Sequence, residues 1–196
     1  GVNWNASLLP LRFLDENNFG YLSDAILSIN YATMMRSDYA ANIRIINNSW
    51  GTSHFSQDLE LAVHANRETG MLMVNAAGNG NYYGGIDLDD ADFPLPYYPA
   101  SFDSDHIITV GASSLETGSK AYFSNYGSAT VDLLAPGVEI YSTDIPSNGS
   151  YSSRSGTSMA APFVSGAASL IWSHKPDATV GEIKKALLQT TRTVDG

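Results

Sequence analysis

"SGTSMAAPFVSGAASLIW", Ser155 to Trp172, decides the fold. It opens on small residues and hydroxyls, passes Pro162 and becomes a strongly apolar run. This reads as a loop turning into a buried helix, Thr157 to Lys175, stopped by Pro176. Pro162 belongs in the first helical turn, where a missing N–H is harmless. Ser158 then sits at a helix N-terminus, where unpaired N–H groups and the positive end of the dipole favour developing negative charge. Such a serine is either a helix cap or a nucleophile whose own N–H helps hold an oxyanion. For an arbitrary serine before a helix, the cap is the better reading.

Upstream, short apolar strands alternate with helices. Ser7–Leu14, Ile43–Asn48, Met71–Ala77 and His106–Ala112 read as strands, the middle two as β-branched or unbroken apolar runs. Leu22–Ala41 reads as a helix capped by Ser23, with Leu22, Ile26, Ile29 and Thr33 on one face. Ser56–Gly70 is a second helix, capped by Ser56, with Leu59, Val63 and Asn66 in register and Gly70 as its stop. Tyr122–Ser155 holds several short strands. Thr179–Thr191 is a last helix, opened by a Thr179–Glu182 capping box. The alternation predicts a single α/β domain with a mainly parallel sheet between helix layers.

Composition narrows the function. The chain has 196 residues, enough for one sizeable core. With 20 acidic and 10 basic residues its formal net charge is -10, which argues against nucleic acid or an anionic membrane as partner. No cysteine is present, so disulfides and thiolate metal sites are excluded. No apolar run approaches the length of a membrane span. The chain begins at Gly1, and a processed or excised piece is the expectation.

The apolar helix and its serine do not stand alone. "SGTSMAAPFVSGAASLIW" resembles the nucleophile segment of subtilisin-like serine peptidases. "NNSWG" (Asn47–Gly51) is similar to that family's substrate-binding strand, and "NAAGNGN" (Asn75–Asn81) to the segment with its oxyanion-hole asparagine. "PYYPASF", "ITVGA", "YFSNYG" and "VDLLAPG" follow in the family's order, and "WNASLLPLRFLDENNFG" resembles the strand after its histidine motif. The resemblance covers essentially the whole chain. It implies a three-layer α/β domain and hydrolysis of peptide bonds through an acyl-enzyme. It makes Ser158 the nucleophile and Asn79 the oxyanion donor, acting with the Ser158 N–H. The backbone of Ser49, Trp50 and Gly51 would pair with an extended peptide, facing a wall of Ala76, Ala77 and Gly78. It also implies a peptide or protein substrate and secretion.

The family's base and orienting group lie in D-x-G and H-G-T-H motifs, and neither motif occurs here. None of the four histidines replaces them. His174 follows Ser158 by 16 residues on one helix, roughly 24 Å away. His64 is mid-helix, His54 in a loop and His106 at a strand start. "GTSMA" also approaches the α/β-hydrolase elbow G-x-S-x-G. That chemistry needs an acid and then a histidine after the serine, and the order here is His174 and then Asp177. The expectation is therefore a partial catalytic domain over residues 1–196, lacking the N-terminal strands and inactive by itself, whose partner is the missing upstream segment. The alternative is a non-catalytic relative that binds extended peptides or a partner protein.

Smaller departures remain. Phe163 stands where the family usually has histidine. Tyr97 and Tyr98 lie where the family's pocket floor passes. The loop "GNYYGGIDLDDADFPLP" (Gly80–Pro96) carries Asp87, Asp89, Asp90 and Asp92, which could supply oxygens to a structural calcium ion. It lacks the EF-hand glycine and terminal glutamate, so a solvated acidic loop is the better reading. No cofactor is expected for the chemistry.

Overall fold

The computed structural model describes residues 1–144 and 150–193. Four parallel strands, β1 (Ile45–Asn48), β2 (Leu72–Ala76), β3 (Ile107–Ser113) and β4 (Leu133–Pro136), pair in chain order. Every residue of β2 and β3 is buried, which is why both read as apolar runs without alternation. Their side chains still divide between two faces. Leu72, Val74 and Ala76 of β2 and Ile108, Val110 and Ala112 of β3 meet Ala160, Ala161, Val164, Ala168 and Trp172 of α3 (Thr157–His174) and Ile183 of α4 (Val180–Gln189). Met73 and Ile107 point the other way, onto Ile29 of α1 (Leu22–Ser37) and Leu59, Ala62 and Val63 of α2 (Gln57–Arg67). The three-layer α/β architecture expected from the sequence is the one observed. Each fully buried aliphatic side chain contributes about 1.5–3 kcal/mol.

The helix ends follow local chemistry in two cases. Ser56 caps α2 by accepting from Leu59 N–H, and Thr179 and Glu182 form the capping box of α4. Gly70 ends the second helical segment in the left-handed region, at φ 68°. Thr33 and Asn66, placed on facing stripes by the periodicity, are joined by a 3.0 Å hydrogen bond between α1 and α2.

Three local expectations change. Helix α1 starts one residue before Ser23, with Tyr21 as its N-cap and no side-chain cap. Pro162 is not in the first turn. Thr157 is the first residue of α3, so the proline lies inside the helix and leaves the Ser158 carbonyl without its i+4 N–H. Ser7–Leu14 is not a strand. Pro10 cannot donate to a ladder, Leu8 is 90% exposed, and among the described residues β1 is paired only with β2. Phe13 instead packs edge-on against Trp50, with ring centroids 5.1 Å apart.

The segment Tyr122–Ser155 divides in two. Leu133–Pro136 joins the main sheet, while β5 (Ile140–Thr143) and β6 (Tyr151–Arg154) form an antiparallel pair that leads directly into α3. The acidic loop is tied down rather than free. Asp89 accepts from the N–H groups of Ala129 (2.7 Å) and Thr130 (3.1 Å), and these bonds hold its carboxyl below the usual range. Asp87 and Asp90 accept from N–H groups of their own turn. Among the described residues, no three acidic or histidine side chains converge on a point where a metal ion could sit.

Candidate active site

The extensions of β1 and β2 and the start of α3 meet at one cleft of about 840 Å³. Ser49, Trp50, Gly51, Asn79 and Ser158 line it, with Phe13, Leu14, Tyr97 and Arg154. Buried amides set the two strand extensions. Asn48 and Asn75 stand opposite each other in the register, and Asn48 Nδ2 donates to Asn75 Oδ1 at 2.9 Å. Asn75 Nδ2 donates to the Pro99 carbonyl (3.2 Å), while Trp50 Nε1 donates to Asn48 Oδ1 (3.1 Å). Unpaired, these amides would be costly in the core. Paired, they fix Trp50 and the β1 extension at the cleft edge.

Ser158 does not cap its helix. Its Oγ donates to the Ser49 carbonyl at 2.9 Å. The capping bond comes from far away in the chain: Asn79 Oδ1 accepts from the Thr157 N–H at 2.8 Å. Ser49 also returns a bond, its Oγ donating to the Ser158 carbonyl at 2.9 Å. That carbonyl is the one Pro162 leaves free. Ser158 and the β1 extension are thus linked by two reciprocal hydrogen bonds, one of them made possible by a proline inside the helix.

Asn79 is aimed by its neighbours. Gly78 and Gly80, on either side, both have positive φ (97° and 63°), which turns the chain sharply at Asn79. Thr157, fully buried, completes the setting. Its Oγ1 accepts from the Gly78 N–H (3.0 Å) and donates to Asn79 Oδ1 (3.1 Å). With its oxygen held twice by Thr157, the Asn79 amide presents Nδ2 as its free end. Among the described residues none accepts a hydrogen bond from Asn79 Nδ2 or from the Ser158 N–H. Two open donors at a helix N-terminus can stabilise an oxygen that gains negative charge.

The remaining residues are less evenly placed. Ala76, Ala77 and Gly78 are buried, and none of them lines the cleft. Asn125 covers this segment, donating from Nδ2 to the Ala77 carbonyl (2.8 Å), while its own N–H donates to the Gly78 carbonyl (3.0 Å). Among the described residues no histidine lines the cleft. His54 and His64 are exposed, and His174 ends α3. His106, the residue just before β3, is buried, and burial pushes its pKa down to about 4. Among the described residues Arg154 is the one charged residue lining the cleft, and its guanidinium is paired with Asp144. Phe163 packs against the α3 side of the sheet.

Sequence reasoning missed Thr157 and the Ser49 hydroxyl as parts of this site. Thr157 was visible only as the start of the predicted helix. The relay it forms needs Gly78 and Asn79, about 80 residues away, brought against the helix.

The chain belongs to the subtilase family, whose pattern matches residues 1–196. It is 36% identical over 190 residues to subtilisin DY of Bacillus licheniformis, covering 97% of this chain and 62% of that protein. It is 40% identical over 177 residues to subtilisin-like protease 2 of Plasmodium falciparum, covering 88% of this chain and 12% of that protein. The solved structure of a cold-adapted subtilisin-like serine proteinase superposes with a TM-score of 0.81 at 31% identity, covering 96% of this chain and 62% of that one. The chain thus spans less than two thirds of each of these relatives. No helix among the described residues is long and apolar enough to cross a membrane.

Proposed function

We propose that this chain carries the nucleophile and oxyanion half of a serine endopeptidase site. Ser158 Oγ attacks the carbonyl carbon of a peptide bond to give an acyl-enzyme. The oxygen that becomes negative is held by Asn79 Nδ2 and the Ser158 N–H, and the peptide lies along Ser49–Gly51. The observation that carries this reading is the Thr157–Asn79 arrangement. It fixes the amide oxygen and leaves the amide N–H free beside a serine at a helix start.

The base that takes the Ser158 proton, and the carboxylate that orients it, come in this reading from outside these 196 residues. The four histidines, all away from Ser158, support that assignment. Residues 1–196 alone are then expected to turn over peptides far more slowly than the complete protein. Secretion, the destination the resemblance implies, accompanies the proposal without entering the chemistry.

The test is steady-state hydrolysis of a peptide library by the full-length protein, with Ser158→Ala and Asn79→Gly beside it. The expected result is loss of activity in the first variant. In the second, kcat falls by about 10²–10³ with KM little changed, the loss found on removing such a donor from a subtilisin. A folded full-length protein that binds extended peptides and cleaves none would overturn the proposal in favour of a binding module.

A further inference from the structure

The two backbone segments beside Ser158 end in facing glycines. Carried three residues past the Asn48–Asn75 pair, the register sets Gly51 against Gly78. Two residues without side chains would leave a slot between the segments. The protein fills it with one of its own aromatic rings. A Cβ built on Gly51 would lie 2.6 Å from Cζ and 2.9 Å from Cδ1 of Tyr97; one on Gly78 would lie 2.5 Å from Asn125 Nδ2, and 3.0 Å from Cδ1 and 3.1 Å from Cε1 of Tyr97. The same ring edge therefore occupies the side-chain volume of Gly51 and, together with the Asn125 amide, closes that of Gly78.

The ring stands on a fixed backbone. Tyr97 N–H donates to Ser101 Oγ (3.0 Å), and its carbonyl accepts from the Ser101 N–H (2.9 Å). The next residue, Tyr98, exchanges two 2.8 Å backbone hydrogen bonds with Thr52, one residue after Gly51. Burial raises the pKa of the Tyr97 phenol above its ordinary value, in keeping with a ring turned into the protein. Ala76, Ala77 and Gly78 are buried and do not line the cleft.

An acyl carbon bonded to Ser158 Oγ, with its oxygen at Asn79 Nδ2, carries its α-carbon about 1.5 Å further on. The side chain of the acyl-side residue starts there, beside Gly51, Gly78 and Tyr97. We infer that Tyr97 closes the acyl-side pocket, so that the residue before the cleaved bond is small: glycine, alanine or serine. The inference rests on the peptidase reading and narrows its substrate class.

The experiment compares kcat/KM of the full-length protein for two peptides that differ only in alanine or phenylalanine before the cleaved bond. Active sites are counted with a small alkyl fluorophosphonate, and Tyr97→Gly is measured alongside. Wild type should favour alanine by roughly ten-fold or more, and Tyr97→Gly should shift the ratio toward phenylalanine by a similar factor. Preference for phenylalanine in wild type, or an unchanged ratio in a folded Tyr97→Gly, overturns the inference while leaving the peptidase reading intact. If Tyr97→Gly does not fold, the wild-type preference alone decides. Folded protein that takes no fluorophosphonate overturns both.

Discussion

His106 makes stability depend on pH in a calculable way. The ring is 2% exposed. Nδ1 shares a 2.8 Å hydrogen bond with Ser104 Oγ, and Nε2 has no partner. The charged or titratable groups that act on it are Asp105, Arg67, His64 and Lys184. Burial dominates and disfavours the imidazolium, Asp105 opposes it, and the folded-state pKa falls to about 4 from 6.5. Above pH 6.5 the ring is neutral in both states and its contribution is fully present. As pH falls from 6.5, the unfolded chain takes up a proton that the folded one refuses until about pH 4. Stability is therefore lost across that window. At about 1.36 kcal/mol per pH unit, the loss between pH 7 and pH 4.5 comes to about 2–3 kcal/mol.

Asp89, Asp105 and Glu182 all have carboxyls held below their ordinary range, so their own losses fall mainly below this window. Urea unfolding at pH 7 and pH 4.5, on wild type and His106→Leu, measures the difference directly. Wild type should lose about 2–3 kcal/mol more than the variant on acidification. Equal losses in both would refute the assignment of a buried, neutral His106.

Two further outcomes follow from the site. Thr157→Val removes the hydroxyl that links Gly78 N–H to Asn79 Oδ1. Steady-state kinetics should show kcat falling by about five-fold with KM nearly constant, since one hydrogen bond to the proposed oxyanion donor is worth about 1 kcal/mol. Ser49→Ala leaves the Ser158 carbonyl without its donor and should lower unfolding stability by about 1–2 kcal/mol. In a Pro162→Ala background the helix can supply that N–H itself, so a double-mutant cycle should show a smaller effect of Ser49→Ala.

What the sequence disclosed was whatever is local or periodic. The unbroken apolar runs of β2 and β3, the α2 stripe of Leu59, Val63 and Asn66, and the Thr179–Glu182 capping box are all encoded within a few residues. Ser7–Leu14 was misread because an apolar run alone does not make a strand. It needs a partner edge, and Pro10 takes away a donor. Pro162 was misplaced by one and a half turns because its compensation, the Ser49 hydroxyl, lies more than 100 residues away. The same distance hid the answer about Ser158. Whether it capped the helix could be decided only once Asn79 was found in that position. Tyr97 was visible as bulk near the cleft, but its fit against Gly51 and Gly78 depends on two strands and a loop meeting.

The central claim is that Ser158 is the nucleophile. Its most direct test is to treat the folded full-length protein with an alkyl fluorophosphonate and map the adduct by tandem mass spectrometry. A nucleophilic Ser158 gives a single adduct on Ser158, in the tryptic peptide that begins at Ser155, and none in Ser158→Ala. An adduct on another serine, or no adduct on folded protein, would contradict it.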